Sequence, residues 1–389
     1  MRVLLVHNYY QQAGGEDVVF EGERSLLVEA GHQVATFTVH NDALAGASPA
    51  QMATQTVWNS AAARSISQAV ENHRAEVAHF HNTFPVLSPA VYRAAKAAGA
   101  ATVQTLHNYR LLCANALFYR DGHVCEDCLG GLPWPAVRHR CYRQSLGASA
   151  AVAACQVIHG ARGTYRREVD AFVALTTFAR DKFIQGGLPA ERLHVKPNFL
   201  NEDPGEGTGG GGYALYIGRL TPEKGVRTAL DAWENQAGLP PLKVVGDGPL
   251  ASEVERAAQR NSQITWLGQR PRAEVLELAK EAECLVFPSV WYEGFPMTVV
   301  EAYGVGLPVI ASRVGALEHL VEDGCTGLLF SPGDAAALSA VVRQFMATDR
   351  AALRRQARQK FLSHYTGLEN LQLLLSIYAT AVGSRRTST

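Results

Sequence analysis

The stretch NEDPGEGTGGGGY, at residues 201–213, interrupts the chain with six glycines and one proline. Such a composition is typical of a flexible linker between domains, because glycine adds backbone freedom and neither residue favours regular structure. On both sides of this stretch, short β-branched and apolar runs alternate with helix-length amphipathic stretches. This alternation is typical of βαβ units with parallel strands. The sequence therefore predicts two α/β domains of similar size.

The predicted elements repeat the same order in each half. Before the linker, strands are predicted at residues 3–7, 33–37, 77–80, 102–106 and 171–175, with helices such as 16–30 and 88–98 between them. After the linker, strands are predicted at residues 213–217, 242–245, 264–267, 284–287 and 308–312, separated by helices at 225–233, 250–258 and 297–304. Doubly wound sheets of this kind bind ligands at the carboxyl ends of their strands. We therefore expect two Rossmann-like domains that face each other across a cleft.

The domain boundaries follow from this pattern. We expect an N-terminal domain at residues 1–200 with a cysteine-rich insert at 108–145, a glycine-rich linker at 201–212, and a C-terminal domain at 213–364. Residues 365–389 are predicted to form a helix that packs back on the N-terminal domain and ends in a frayed tail.

Composition excludes several classes of protein. Lys+Arg and Asp+Glu balance at 36 each, so no global charge indicates a nucleic-acid partner. No apolar run approaches the roughly 20 residues of a membrane span, and the apolar start of the chain is too short for a signal peptide. Seven cysteines are an odd number in a chain without an export signal, which argues against a disulfide scaffold. We expect a cytoplasmic protein.

The second domain opens with a candidate anion site. Gly218 and Arg219 follow the strand at 213–217, and Lys224-Gly225 precede the next helix. A guanidinium and an ammonium beside a helix N-terminus suit a diphosphate. The alternative is a pair of solvated surface charges.

The stretch FPSVWYEGFPMTVVEAYGVGLPVIAS, at residues 287–312, carries two acids eight positions apart, Glu293 and Glu301. If the helix began by Gly294, both carboxylates would lie near one face. The preceding loop would offer backbone N–H groups to a ligand, and Glu301 could accept two hydroxyl hydrogen bonds from a ribose. The alternative is a solvated helix face.

The first domain offers glycines and histidines at strand ends. Gly14-Gly15 lie between the first strand and its helix, where bare backbone N–H groups can approach an anion, or where they simply form a turn. His81 and His107 each follow a predicted strand, and a histidine in such a place can donate to a ligand hydroxyl or titrate near neutral pH.

Together these residues resemble the retaining glycosyltransferases of family 4, which have the GT-B fold. The most specific element is the E-x7-E motif of Glu293 and Glu301, beside the segment with Gly218, Arg219, Lys224 and Gly225 and the Gly14-Gly15 loop. The segment TLHNYRLLC resembles the subgroup of capsule and exopolysaccharide gene clusters. Many members of the family have glycine where Pro296 stands, so one backbone N–H toward the sugar is missing here.

The resemblance implies roles for these residues. Arg219 and Lys224 would bind the donor diphosphate, Glu301 the ribose, and Glu293 the donor sugar. The catalytic residues would be His107, placed over the transferred sugar, and Glu293. The donor-binding set would be Gly15, Gly218, Arg219, Lys224, Gly294, Phe295, Pro296, Met297 and Glu301.

The resemblance implies a hexosyl- or glycosyltransferase that moves a sugar from a UDP- or GDP-sugar to a glycan or lipid-linked glycan with retention, in cell-surface polysaccharide biosynthesis. The first domain would be the acceptor side and the second the nucleotide-sugar side. No Asp-x-Asp occurs in the sequence, and Arg219 and Lys224 would neutralise the leaving group, so no catalytic cofactor is expected. Two alternatives stay open: a sugar-nucleotide epimerase of GT-B fold, and a non-catalytic subunit that binds a nucleotide sugar or a glycan.

Two features of the first domain point to other partners. Cys113, Cys125, Cys128 and Cys141 have the spacing C-x11-C-x2-C-x12-C, which suits a structural zinc ion; an iron–sulfur cluster and free thiols are the alternatives. Residues 131–167 contain six arginines and no acidic residue around the apolar stretch 146–158. This segment would rest peripherally on the anionic inner face of the membrane or bind a lipid diphosphate, or it is a buried helix with solvated arginines.

Overall fold

The structure, a computed structural model, describes residues 1–11, 14–44 and 46–386. The helices and strands of the first 198 residues are β1 (Arg2–Tyr9), α1 (Gly15–Glu29), β2 (Gln33–His40), α2 (Pro49–Val57), α3 (Ser60–His73), β3 (Val77–Phe80), α4 (Ala90–Ala97), β4 (Ala101–Leu106), β5 (Tyr119–Arg120), β6 (His123–Val124), α5 (Trp134–Arg138), α6 (Leu146–Ala161), α7 (Thr164–Glu168), β7 (Ala171–Ala174), α8 (Thr177–Gln185) and β8 (Leu193–Val195).

The elements after residue 198 are β9 (Ala214–Ile217), α9 (Val226–Asn235), β10 (Leu242–Val245), α10 (Ala251–Arg260), β11 (Ile264–Gly268), α11 (Arg272–Glu281), β12 (Cys284–Phe287), α12 (Met297–Gly304), β13 (Val309–Ser312), α13 (Leu317–Leu320), β14 (Gly327–Phe330), α14 (Ala335–Met346), α15 (Arg350–His364) and α16 (Gly367–Arg386). Short 3-10 turns at Asn41–Leu44, Ala190–Arg192 and Pro222–Lys224 connect some of them.

The chain divides into two compact units. Unit 1 contains Met1–Phe118, Cys125–Asn198 and the residues from Gly367 onward. Unit 2 contains Tyr119–Val124 and Phe199–Thr366. Each unit is built on one six-stranded sheet, so the predicted fold class of two doubly wound α/β domains is confirmed.

In unit 1 the strand order is β2-β1-β3-β4-β7-β8, and every pair is parallel. Parallel sheets are covered by helices on both faces, so their strands consist almost entirely of buried residues. The four residues of β3 and the six of β4 are all buried. The strand order reverses between β1 and β3, and such a switch point leaves room for a ligand at the carboxyl ends of the two strands.

In unit 2 the strand order is β11-β10-β9-β12-β13-β14, again parallel throughout. The switch point lies between β9 and β12. The core of this unit includes Leu220, which follows β9, and Val226 and Trp233 of α9. Leu338 and Phe345 of α14 belong to the same core.

Two strands at the edges of the sheets, β8 and β14, were not predicted from the sequence. They have three and four residues. The three residues of β8 are too few to show a hydrophobic period, and the glycine and proline residues around β14, in TGLLFSPG at 326–333, favour a loop interpretation.

The glycine-rich segment at residues 201–212 is bound along unit 2, in contrast to the free linker that its composition predicts. The N–H groups of Gly207, Gly209 and Gly211 donate to the carbonyls of Val305, Lys280 and Glu281 at 2.8–2.9 Å. A Cβ atom at Gly207 would lie 2.3 Å from the backbone of Lys280. Glycine therefore serves close backbone approach here.

Helix α16 belongs to unit 1 and packs against α1, β4 and β7. Its side chains Leu374, Ile377, Tyr378 and Ala381 are buried in the same core cluster as Phe20 of α1. The last three residues of the predicted tail, 387–389, lie outside the described residues. In the part of the chain that the structure describes, no helix combines the length and apolarity that crossing a bilayer requires.

Replacing Leu374 with Ala should lower the free energy of unfolding of unit 1 by about 2–5 kcal/mol, because Leu374 is 0% exposed and its removal leaves a cavity. The neighbouring Leu373 is 38% exposed, so Leu373→Ala should change this free energy by about 0.5 kcal/mol or less. Chemical denaturation measures both. Equal effects of the two substitutions would contradict the described packing of α16.

Candidate functional site

The predicted anion site of unit 2 lies at its switch point. Gly218 and Arg219 directly follow β9, the 3-10 turn Pro222–Lys224 comes next, and α9 begins at Val226. The opposite side of the switch point is formed by Pro288, which follows β12. These groups lie at one place because parallel strands have all their carboxyl ends at the same edge of the sheet.

Gly225 fixes how closely this turn approaches β12. Its φ angle is 68°, in the left-handed region that side chains disfavour. A Cβ atom at this position would lie 1.8 Å from the carbonyl oxygen of Pro288. Only glycine permits this contact, which sets the position of the Lys224 backbone beside it.

Lys224 and Glu293 form an ion pair. The Lys224 Nζ donates to both carboxylate oxygens of Glu293, at 2.8 and 3.0 Å. Ser289 Oγ and Trp291 Nε1 also donate to Oε1, at 2.6 and 2.9 Å. Glu293 is buried, whereas the Lys224 side chain keeps 17% of its surface exposed. The two residues, 69 positions apart, thus belong to one site, in which the lysine side chain stays partly exposed.

Arg219 is exposed at the same edge. None of the described residues pairs with its guanidinium, whose charge is therefore available to a ligand. Its backbone carbonyl accepts a hydrogen bond from Tyr216 Oη at 3.3 Å, which fixes the main chain below the side chain.

Glu301 has a different partner from Glu293. Helix α12 begins at Met297, so Glu293 lies in the loop before it and the two acids do not share a helix face. Glu301 accepts a hydrogen bond from Arg272 Nε, the first residue of α11, at 2.8 Å. Its carboxylate is partly exposed and keeps free acceptor capacity.

Residues 294–296 connect Glu293 to the start of α12. Phe295 is buried, with its ring 5.8 Å from that of Tyr365, and Gly294 is partly exposed. Pro296 is the residue before the helix, and no side chain caps its first turn. The N-terminal N–H groups of α12, beginning with Met297, are thus not used by a cap.

Gly246 belongs to the same edge and was not singled out from the sequence. It follows β10 with φ 141°, and a Cβ atom there would lie 1.9 Å from the carbonyl oxygen of Gly218. The available signal is the segment VVGDGP at 244–249, where two glycines directly follow a buried strand.

In unit 1, His81 and His107 follow β3 and β4 and lie side by side. His81 Nδ1 is 3.1 Å from His107 Nε2, and the rings are stacked with centroids 5.3 Å apart. Both line a cavity of about 60 Å³. Burial, followed by the neighbouring His81, lowers the pKa of His107 well below the ordinary value, so His107 is neutral at neutral pH.

Glu23 and Lys196 lie behind these histidines, and neither was singled out from the sequence. Both are 0% exposed, and their charged atoms are 2.5 Å apart. Glu23, His79 and His81 form the only group in the described part of the chain whose ligand atoms converge as a metal site would require. The Lys196 ammonium already binds this carboxylate, and a second cation beside it would be repelled. We therefore interpret the group as a hydrogen-bonded network of the core.

The Gly14-Gly15 turn is used by its own helix. The Gly14 N–H donates to Asp17 Oδ2 at 2.9 Å, and Gly15 is the first residue of α1. Glu16 and Asp17 place two carboxyl groups in this first turn. Burial, followed by Asp17, raises the pKa of Glu16 to about 8. The family resemblance assigns a ligand contact to the N–H group of Gly15. The next residue, Glu16, carries a carboxyl group that is largely protonated at neutral pH.

Arg110 is a further cation beside the cavity of His81 and His107. Its guanidinium lies between the rings of Phe84 and Tyr142, at 4.6 and 5.0 Å. Its Nε is buried and has no hydrogen-bond partner among the described residues.

The four cysteines of the predicted zinc site all lie in unit 1 and carry free thiols. Burial raises the pKa of Cys128 to about 11, and the nearby Cys113, Cys141 and Cys125 add to this shift. The four residues are therefore neighbours. Their sulfur atoms do not converge as closely as the Glu23 group, and zinc binding stays a prediction.

Two family profiles match consecutive parts of the chain. The profile described as Glycosyltransferase Family 4 matches residues 14–203, and the profile described as Glycosyl transferases group 1 matches residues 203–360. The predicted membership of glycosyltransferase family 4 is thereby confirmed, and retention of configuration stays a prediction.

Curated relatives match over shorter stretches. A glycogen synthase of Mycobacterium tuberculosis is 28% identical over 229 residues, which cover 54% of this chain and 53% of that protein. O-antigen chain mannosyltransferase B of Escherichia coli is 37% identical over 150 residues, covering 36% and 38% of the two chains. The chain thus spans about half the length, or less, of these relatives.

Among solved structures, Anabaena HepE in complex with UDP superimposes with a TM-score of 0.69 at 17% identity, covering 98% of this chain and all of that one. This similarity confirms the predicted fold.

Replacing Gly225 with Ala should destabilise unit 2 by about 2–5 kcal/mol, the sum of about 1–2 for a left-handed residue and about 1–3 for the clash with Pro288. Gly238 is the matched control, because its φ is 76° and a Cβ atom would meet nothing within 4 Å. Gly238→Ala should cost only the conformational part, about 1–2 kcal/mol. Chemical denaturation of both variants separates the two contributions, and equal losses would contradict the close contact.

Proposed function

The chain belongs to glycosyltransferase family 4, and from this we propose that it transfers a sugar from a nucleoside-diphosphate sugar to a hydroxyl group of a glycan or lipid-linked glycan. The donor would be a UDP- or GDP-sugar, and the transfer would retain the anomeric configuration without a catalytic metal. The observation that carries the proposal is the switch point of unit 2, where Lys224, Glu293 and Arg219 lie beside the start of α9. The solved structure of HepE with UDP and the name of the O-antigen mannosyltransferase support the donor class and a role in cell-surface polysaccharide biosynthesis.

We assign the donor diphosphate to Arg219 and Lys224. A nucleoside diphosphate leaves with negative charge that must be stabilised, and oriented cations supply a large share of such catalysis. The Lys224 ammonium has three N–H donors, so it can bind a phosphate oxygen while Glu293 still holds it. The start of α9 adds the positive end of a helix dipole.

We assign the sugars of the donor to the two acids. Glu293 would accept hydrogen bonds from the transferred sugar, near the N–H groups at the start of α12. Glu301 would accept from the ribose hydroxyls. Arg272, which donates a hydrogen bond to Glu301, would hold this carboxylate in place.

We propose the reaction that the family resemblance implies. The acceptor oxygen forms a bond to the anomeric carbon on the face from which the diphosphate leaves, and the bond from that carbon to the phosphate oxygen breaks. The proton of the acceptor hydroxyl passes to the departing phosphate. His107 would contact a hydroxyl of the transferred sugar. No side-chain base is then required at the reacting carbon, in contrast to the carboxylate pairs of glycosidases.

We propose that the acceptor is lipid-linked and is bound at the membrane surface by unit 1. Leu132, Trp134 and Leu146 are 70, 61 and 56% exposed, which is unusual for such large apolar side chains. They lie in the stretch 131–167, which has six arginines and no acidic residue. Apolar side chains among unpaired cations suit an anionic lipid surface.

A cavity of about 580 Å³ lies between α2 and α6 near this stretch. Its lining is mainly apolar, with Met52 and Val152 among the side chains, and Arg143 at its margin. It shares Phe84 with the smaller cavity of His81 and His107. We assign it to the apolar part of the acceptor, and Arg110 and Arg143 to its phosphate groups.

Replacing Arg219 with Gln should weaken binding of UDP or GDP about tenfold or more, because a hydrogen bond to a charged group contributes about 1.5–3 kcal/mol. Arg219 is exposed, so the fold should be unaffected. Arg227→Gln is the matched control: Arg227 is also exposed but is bound to Glu253 on α10. Calorimetric titration measures the affinities, and equal affinities in the two variants would contradict the diphosphate assignment.

One assay of the purified protein distinguishes sugar transfer from the two alternatives, which are sugar-nucleotide epimerisation and binding without catalysis. Incubation with each UDP- and GDP-sugar, a lipid-linked glycan and a chelator should give an elongated acceptor. Conversion of the donor sugar without acceptor would favour the epimerase, and nucleotide binding without any turnover would favour the binding subunit. Loss of transfer with the chelator would contradict metal independence.

Vesicle flotation tests the proposed membrane surface. The protein should bind vesicles that contain phosphatidylglycerol and not vesicles of phosphatidylcholine alone. Arg138→Gln/Arg140→Gln should weaken this binding by about 1 kcal/mol per charge, and Trp134→Ala should weaken it as well. Leu368→Ala, at an exposed leucine of α16, is the control that should leave it unchanged. Equal binding to both kinds of vesicle, or to neither, would contradict the proposal.

A further inference from the structure

The contact between His81 and His107 leaves one question of chemistry open: which ring donates the hydrogen bond. The two nitrogens, His81 Nδ1 and His107 Nε2, are 3.1 Å apart. A neutral imidazole has one N–H and one lone pair, so one ring must donate and the other accept. The choice decides which nitrogen of His107 keeps a free lone pair. The answer depends on what the far side of His81 faces.

The far side of His81 faces the buried pair of Glu23 and Lys196. Glu23 is 0% exposed on α1, and its Oε1 lies 2.5 Å from Nζ of Lys196, which directly follows β8. Burial opposes ionisation of Glu23, but Lys196 and the nearby histidines outweigh it, and the pKa of this carboxyl lies well below its usual range. Glu23 is therefore a carboxylate and acts only as a hydrogen-bond acceptor.

The second oxygen of Glu23 sets the proton position on His81. Its Oε2 is 3.4 Å from His81 Nε2, a charge contact rather than an aligned hydrogen bond, and neither atom has a hydrogen-bond partner among the described residues. A lone pair on Nε2 would face the lone pairs of the carboxylate, which is unfavourable in a buried site. The proton of His81 is therefore on Nε2, and its Nδ1 is left as an acceptor.

The neighbouring His79 is not an alternative hydrogen-bond donor to Glu23, because its Nδ1 lies 3.7 Å from Oε2 of that carboxylate. Its Nδ1 lies 2.8 Å from Tyr378 Oη, and its Nε2 lies 2.7 Å from Thr105 Oγ1. Both nitrogens are engaged with hydroxyl groups, which donate or accept as required. The Glu23 carboxylate therefore affects the proton position on His107 through His81 alone.

We infer that the buried Lys196–Glu23 pair, acting through His81, fixes His107 as the neutral tautomer that carries its proton on Nε2. The free lone pair of His107 is then on Nδ1, for which the described residues supply no hydrogen-bond partner. His107 thus accepts a hydrogen bond from a substrate hydroxyl and does not donate one. Glu23, Lys196 and His81 are positioning residues. The assignment of this arrangement to catalysis rests on the proposed sugar transfer, whereas the tautomer itself does not.

Nuclear magnetic resonance of the intact protein labelled with ¹⁵N-histidine tests the tautomer directly. Long-range ¹H–¹⁵N correlations distinguish the two neutral forms and the imidazolium. The signals are assigned with His81→Phe and His107→Phe. We expect the Nε2–H form for both histidines at neutral pH. A proton on Nδ1 of His107, or on both of its nitrogens, would overturn the inference.

Glu23→Gln/Lys196→Met tests the origin of the tautomer without leaving a buried charge unpaired. The Gln amide can present either its N–H or its carbonyl to His81, so both histidines should show mixed tautomers. The turnover number should fall about tenfold or more with the donor KM changed less than about twofold, because misorientation of a catalytic imidazole affects turnover. Lys96→Met/Asp170→Asn, which removes another ion pair of unit 1 at 2.6 Å, should leave the tautomers unchanged.

The outcomes separate this inference from the proposed function. Unchanged tautomers in the double variant would show that the pair has no such role. If that variant does not fold, His81→Phe still decides, because His107 should lose its single tautomer once its acceptor is removed. If no sugar transfer is found with any donor, the proposed function has failed, and the spectra of the unmodified protein still confirm or overturn the tautomer.

Discussion

All strands in each of the two sheets run in one direction, and this constraint decides where chemistry can occur. Parallel strands end at one edge, and the strand order reverses once in each sheet, between β1 and β3 and between β9 and β12. The connections on the two sides of a switch point leave in opposite directions, which opens a gap for a ligand. His81 follows β3, and Arg219 and Lys224 follow β9. The residues to which we assign chemical roles therefore lie where the topology leaves space.

The fold was largely predictable because a buried parallel strand has a simple signature. Runs such as 77–80, 242–245 and 284–287 are mostly apolar, and their predicted bounds match the structure. The edge strands β8 and β14 were missed because the first has only three residues and the second lies among turn-forming glycine and proline residues. The glycine-rich segment was predicted as a free linker, since composition does not show that a backbone such as that of Gly207 passes close to another chain segment.

The site was less predictable, because its partners are distant in sequence. The motifs located Arg219, Lys224, Glu293 and Glu301 at a strand edge, but the pairing of Lys224 with Glu293 across 69 positions depends on the packing of β12 beside β9. The Glu301–Arg272 pair depends likewise on α11. Lys196 gives no signal at all, since a lysine is expected on the surface and only the structure shows it at 0% exposure.

Two buried glutamates among the described residues, one in each unit, differ in the exposure of the lysine that each one binds. Glu23 and Glu293 are both buried, and each holds a lysine within 2.8 Å. Lys196 is fully enclosed, so its charge can act only on its neighbours, and removing one partner would leave an uncompensated buried charge, at a cost of about 3–5 kcal/mol. Lys224 keeps 17% of its side chain in solvent, so an incoming anion can reach it without breaking the pair. We therefore assign the enclosed pair to the ordering of a histidine in one unit and the partly exposed pair to the binding of a ligand in the other.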